Sequence, residues 1–90
     1  MKVITVTEEN HGLIGLTLNI RATVDFLIEQ DWISRDTEFW DEKEQIWKTL
    51  EDFIKESPYT SMREFLYHKI ENDEGFFDGS FYFGEEYIYE

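Results

Sequence analysis

The sequence predicts an α+β domain: a small antiparallel sheet built from terminal hairpins, with two or three helices packed on one face. Three observations lead there. The chain opens on a β-branched run, Lys2–Thr7, that reaches a glycine turn. Apolar residues recur at helical spacing over residues 20–28 and again over 62–70. Near the C-terminus, Asp78-Gly79 separates the aromatic runs Phe76-Phe77 and Phe81-Tyr82-Phe83, the pattern of a two-residue hairpin turn.

Residues 2–7 lack breakers and read as the first strand. Glu8-Glu9-Asn10-His11-Gly12 makes the turn, with Gly12 free to take positive φ, and Leu13–Leu16 returns as a second strand. Asn19 is a candidate N-cap for the first helix. Behind it Ile20, Val24, Leu27 and Ile28 share one face, while Arg21, Asp25 and Glu29 lie opposite, and the helix ends near Asp31-Trp32.

Residues 33–40 read as irregular chain or a short strand. Asp41 then offers a cap for a second helix, with Glu44 three residues on as in a capping box. Ile46, Trp47, Leu50, Phe53 and Ile54 follow helical spacing, and Glu44–Lys48 and Glu51–Lys55 are i,i+4 pairs in the favourable order. The competing arrangement is a hairpin of Thr37–Trp40 with Gln45–Thr49 around Asp41-Glu42-Lys43-Glu44, leaving a short helix from Leu50. The long helix is the expectation carried forward.

Ser57-Pro58 breaks the chain. Ser61 with Glu64 forms another capping box, and Met62, Phe65, Leu66 and Ile70 stripe a third helix that ends near Asn72. Tyr87 and Tyr89, alternating with Ile88, extend the C-terminal strand or start another. No linker, repeat or low-complexity segment divides the chain, so residues 1–90 are expected to form a single domain.

Composition narrows the function. Twenty-one acids stand against eight bases, for a net charge of −13, yet 41 % of residues are hydrophobic. That is too apolar for a disordered chain. Three Trp, five Tyr and eight Phe suit a small core, because each ring buries a large area. The negative field repels phosphate, which argues against direct binding of nucleic acid or anionic lipid and favours basic proteins, nucleic-acid-binding ones above all. Solubility alone also accounts for such a charge. No apolar run approaches the ~20 residues of a membrane span, and Met1-Lys2 leads into no signal-like stretch, so the expectation is a soluble cytoplasmic protein.

No catalytic constellation is visible. There is no cysteine, Ser34, Ser57, Ser61 and Ser80 stand in no motif, and no Gly-rich phosphate loop occurs. A non-enzymatic protein without cofactor follows as the expectation. One metal alternative stays open: Glu64, His68 and Glu71 lie at i, i+4 and i+7 of the third helix, a zinc-compatible set to which His11 can add a ligand. The stretch Asn72-Asp73-Glu74-Gly75 fails the calcium-loop register.

The last twenty residues carry seven carboxylates, seven rings and no base. Carboxylates accept bidentate hydrogen bonds from Arg, and ring faces accept its guanidinium. The candidate partner-binding residues are therefore Asp73, Glu74, Asp78, Tyr82, Glu85, Glu86, Tyr87, Tyr89 and Glu90, with Phe77 among them. The competing account makes half of these rings core and the acids a solvated face. A second acidic stretch, Asp36, Glu38, Asp41, Glu42 and Glu44, belongs to the same field or marks a helix N-terminus.

The opening EENHGLIGL, the segment TVDFLIEQDW and the acidic aromatic end resemble small inhibitor proteins encoded by bacteriophages and mobile elements, the anti-CRISPR and DNA-mimic anti-restriction proteins, which act in the bacterial host cell. The resemblance implies inhibition of DNA binding or loading by a CRISPR effector nuclease, whose positively charged channel an acidic decoy would occupy. The eight bases fall within positions 2–69, so the expected decoy is a local patch and not the whole surface. The alternative is a small acidic accessory or structural interaction module.

Overall fold

The computed structural model describes residues 1–89; Glu90 and the side chain of Glu74 lie outside the described part. Three strands, β1 (Lys2–Glu8), β2 (Gly12–Thr17) and β5 (Phe81–Tyr87), form an antiparallel sheet with β1 in the centre. A second sheet is the hairpin of β3 (Glu38–Asp41) and β4 (Ile46–Thr49). Three helices complete the α+β fold: α1 (Ile20–Glu29), α2 (Leu50–Lys55) and α3 (Met62–Asn72).

The N-terminal hairpin forms as its sequence predicts. Gly12 takes φ 76°, and Glu8 accepts from the backbone N–H of Asn10 at 2.7 Å inside the turn. A bulge between Val6 and Thr7 breaks the β1–β2 register, while β1 and β5 pair without interruption from Lys2–Tyr87 to Glu8–Phe81. Asn19 caps α1 through Ala22 N–H at 2.8 Å, and Thr23, Val24 and Leu27 bury its inner face. Ser61 caps α3 through Glu64 N–H, and Phe65, Leu66 and Ile70 are buried.

Two expectations are corrected. Residues 41–54 are not one helix: the chain turns back after Asp41, and only Leu50–Lys55 is helical. Gln45 takes φ 58°, the left-handed conformation that reverses the chain, and its N–H donates to Asp41 O at 2.7 Å. Nor does Asp78-Gly79 join two strands. Glu74–Phe77 is a 3-10 turn, and Asp78-Gly79-Ser80 leads out of it into β5, which pairs with β1 instead of with a neighbour across the turn. The sheet thus has one terminal hairpin and one returning strand.

The reason lies in the core. Phe77 is fully buried, and Phe76 packs against Phe39, Phe53, Phe65 and Phe77 with centroids 4.8–5.6 Å apart. These two rings stitch the β3–β4 hairpin to α3. On a strand they would point to opposite faces; a 3-10 turn sends both inward.

A candidate acidic groove beside the β3–β4 hairpin

The hairpin alternates its side chains across two faces. Phe39 and Lys48 turn inward; Trp40 and Trp47 stand opposite each other on the outer face, edge to face at 5.5 Å. Between this hairpin and the 3-10 turn runs a groove of about 560 Å³. Trp40, Phe53 and Phe76 give it aromatic walls, and Asp41, Glu42, Asp73 and Asp78 line it with Lys43 and Lys69.

The acids are not equivalent. Asp41 binds Lys48 Nζ at 3.0 Å and accepts the N–H groups of Lys43 and Glu44. The Lys48 ammonium, followed by the Glu44 N–H, holds its carboxyl below the usual aspartate value. Asp73 lies 3.4 Å from Lys69, whose ammonium also sits over the Phe76 ring at 5.3 Å. Glu42 accepts from Trp40 Nε1 at 3.2 Å. Among the described residues no base pairs with Glu42 or Asp78. An incoming guanidinium would find two unneutralised carboxylates beside an indole and a phenyl ring.

The predicted partner-binding residues do not form one surface. Asp73 and Asp78 line the groove. Tyr82 and Glu86 lie on the outer face of the large sheet, across from Thr7 and Val3. Glu85 faces the helices and pairs with Lys2 at 3.1 Å. Tyr87 closes β5 opposite Lys2, and Tyr89 stands almost fully in solvent beyond it. Glu90 and the Glu74 side chain lie outside the described residues. Phe77, included among the candidate rings, is core. The groove joins Asp73 and Asp78 to the second acidic stretch, and its Trp40 and Phe76 walls were not singled out from sequence. The hairpin reading of residues 37–49 was the signal that places Trp40 outward.

The zinc set of the third helix does not converge. Arg21 holds Glu64 at 2.7 Å, His68 packs on Tyr59 and lies 3.2 Å from the Asn72 amide, and the negative charge of Glu71 holds the Tyr67 phenol above its usual pKa. Among the described residues the one convergence of three possible ligands is Asp41, Glu44 and Glu56. Lys48 Nζ already serves all three as their cation, so this cluster is an internal ion-pair network.

A second groove, about 590 Å³, lies between β1, the start of α1 and α3 and is lined by Lys2, Ile4, Ile20, Arg21, Tyr67 and Glu85. Its two bases are neutralised by Glu85 and Glu64. Among the described residues no helix is long and apolar enough to cross a membrane. No protein-family model matches this chain, and no curated protein or solved structure is found similar to it.

Proposed function

We propose that this protein is a non-enzymatic inhibitor that binds a basic nucleic-acid-binding protein, of the class to which CRISPR effector nucleases belong. The observation that supports this reading best is the groove, where unneutralised Glu42 and Asp78 flank Trp40 and Phe76. Arginines that grip phosphate or base edges have the shape and charge to enter it. The net charge of −13 speeds encounter with such a partner and makes it salt-dependent. A mobility-shift titration tests the reading: a guide-loaded CRISPR effector nuclease, its target DNA and increasing amounts of this protein. Loss of the DNA complex at low salt, relieved by E42K/D78K, is expected. Undiminished DNA binding across a panel of such nucleases and of other basic DNA-binding proteins would sink it.

A second reading, an accessory interaction module, is supported by the outer face of the large sheet. Leu13, Leu16 and Tyr82 are more than half exposed there, and Glu86 is its one acid among the described residues. Sedimentation at rising concentration tests it, and a monomer throughout would count against a self-assembling module.

A further inference from the structure

The two edges of the large sheet differ. Each edge strand offers a row of N–H and C=O groups to any extended chain that comes beside it. The β2 edge is blunted by the bulge that breaks its register between Val6 and Thr7. The β5 edge has no such defence: seven consecutive residues pair with β1 in unbroken register.

The direction of its free groups follows from the ladder. Met1 and Ile88 exchange both hydrogen bonds, and Glu9 N–H donates to Ser80 O. Antiparallel pairing alternates, so the even-numbered residues of β5 bond to β1 and the odd-numbered ones face outward. Phe81, Phe83, Glu85 and Tyr87 therefore turn their backbone groups away from the sheet. No backbone or side-chain hydrogen bond among the described residues takes up those of Phe83, Glu85 or Tyr87.

What guards this edge is charge of one sign. Glu85 and Glu86 point to opposite faces of the strand, and Glu71 lines the hollow beneath Phe83, Gly84 and Glu85. Acids repel a second copy of this −13 chain and any acidic segment. They attract a basic one. The Lys2–Glu85 pair is well exposed on both sides, so it holds the carboxylate weakly and yields to an arginine.

We infer that β5 accepts an extended basic segment of the partner as a fourth strand, antiparallel to it. This rests on the reading of the protein as a binder of basic proteins and names the form in which part of that partner is held. Side chains directly across a ladder share a face. The residues opposite Glu86 and Glu85 are consecutive, and one meets each carboxylate, so the segment carries a dibasic pair. Two residues further along come positions opposite Phe83 and Tyr82, which suit β-branched or aromatic side chains. Backbone pairing supplies affinity and the dibasic step fixes register.

The test uses a short Val/Thr-rich peptide with a central Arg-Arg step, fluorescently labelled, against the whole protein. Its partner probe has the same charge but is N-methylated on alternate amides, so that it cannot complete the ladder. The plain peptide is expected to bind at least about tenfold more tightly than the methylated one, since several hydrogen bonds are at stake. It should also slow hydrogen exchange at Phe83, Glu85 and Tyr87. On the protein side, Glu85→Pro removes an outward N–H that β1 does not use and should abolish the difference between the probes. If that variant does not fold, the methylated peptide decides alone. Equal binding of both probes, or binding of neither, overturns the fourth strand. A nuclease that is still displaced from DNA while the peptide fails removes the edge and leaves the groove standing; peptide binding without any displacement removes the inhibitor reading and keeps the edge.

Discussion

Lys48 Nζ lies 3.0 Å from Asp41 Oδ2, diagonally across the inner face of the β3–β4 hairpin, with its side chain only 7 % exposed. Glu44 and Glu56 complete a ring of carboxylates around the same ammonium, which also sits over the Phe53 ring at 4.9 Å. A buried charge is tolerated when it is paired and hydrogen-bonded, and removal of one partner leaves the others uncompensated. Here the single cation ties the hairpin turn to the end of α2.

Lys48→Met should therefore lower the melting temperature by more than any other lysine-to-methionine change in the chain. Asp41, Glu44 and Glu56 would then repel one another within 4.8 Å. Added calcium should restore part of the loss in the variant and leave the wild-type melt unmoved. Differential scanning fluorimetry with and without calcium reads both. An unchanged melt would show that the network is ornamental to stability.

The same network sets a pH window. Asp41 is held low first by Lys48, and Glu8 first by His11 and then by Asn10 N–H. Depressed carboxylates stabilise the fold above their unfolded values, near pH 4, and lose that contribution as pH falls through the folded ones. Lys48 is held high first by its hydrogen bond to Glu56, and Tyr67 by Glu71. Raised groups stabilise the fold fully below their unfolded values, near pH 10, and lose that contribution as pH rises through the folded ones. Urea midpoints at 0.15 M salt should form a plateau from roughly pH 5 to pH 10 and fall on both sides. Lys48→Met should flatten both falls, because Asp41 loses its cation as well.

The C-terminal rings divide into core and surface, and mutation should separate them. Phe77 has no exposure and meets Phe39, Phe76 and Phe83 edge to face. Phe77→Ala should cost about 3–5 kcal/mol. Tyr82 is about half exposed on the outer sheet face, and Tyr82→Ala should cost under about 1 kcal/mol. Equilibrium denaturation of the two variants checks the contrast, and equal losses would mean that the 3-10 turn is not the stitch between hairpin and helix.

Much of the fold was legible because its signals were local. Asn19 and Ser61 cap the helices they were expected to cap, and Gly12 makes the turn it was expected to make. The error over residues 41–54 has a physical cause. Asp41 does accept Glu44 N–H at 3.1 Å, and Glu44 does lie 3.8 Å from Lys48, so both helix signals are realised. A capped helix and this hairpin share those contacts and diverge only at Gln45, whose left-handed backbone no side-chain pattern announces. The site suffered from the same ambiguity. Asp41 and Glu42 approach Asp73 and Asp78 only if the chain turns back at Gln45, and Phe76-Phe77 read as strand until Phe39 supplies their partner.

Asp31 follows α1 with φ 59°, a left-handed residue at the negative end of the helix dipole. A side chain there carries a backbone cost that glycine avoids, and a carboxylate adds an unfavourable charge. Asp31→Gly should stabilise the protein by about 0.5–1 kcal/mol, and Asp31→Asn by less, because asparagine removes the charge and keeps a side chain at the left-handed position. Thermal melts at matched concentration decide it, and a loss on either substitution would point to a role for the carboxylate in the neighbouring turn.

Trp40 and Trp47 give the groove its most direct probe. The two indoles touch at 5.5 Å, and Trp47 is the more exposed of the pair. Only Trp40 lines the groove, where its Nε1 donates to Glu42 at 3.2 Å. A general preference of partners for exposed rings would make Trp47→Ala the more damaging change. Recognition in the groove makes it Trp40→Ala, through loss of a cation–π face worth about 0.5–2 kcal/mol and of the contact that orients Glu42. An arginine-rich peptide titrated into both variants separates the two. Trp40→Ala should weaken binding severalfold, and Trp47→Ala should leave it within twofold, roughly the ±0.5 kcal/mol expected of a surface change. The reverse order would move the binding surface off the groove and onto the open face of the hairpin.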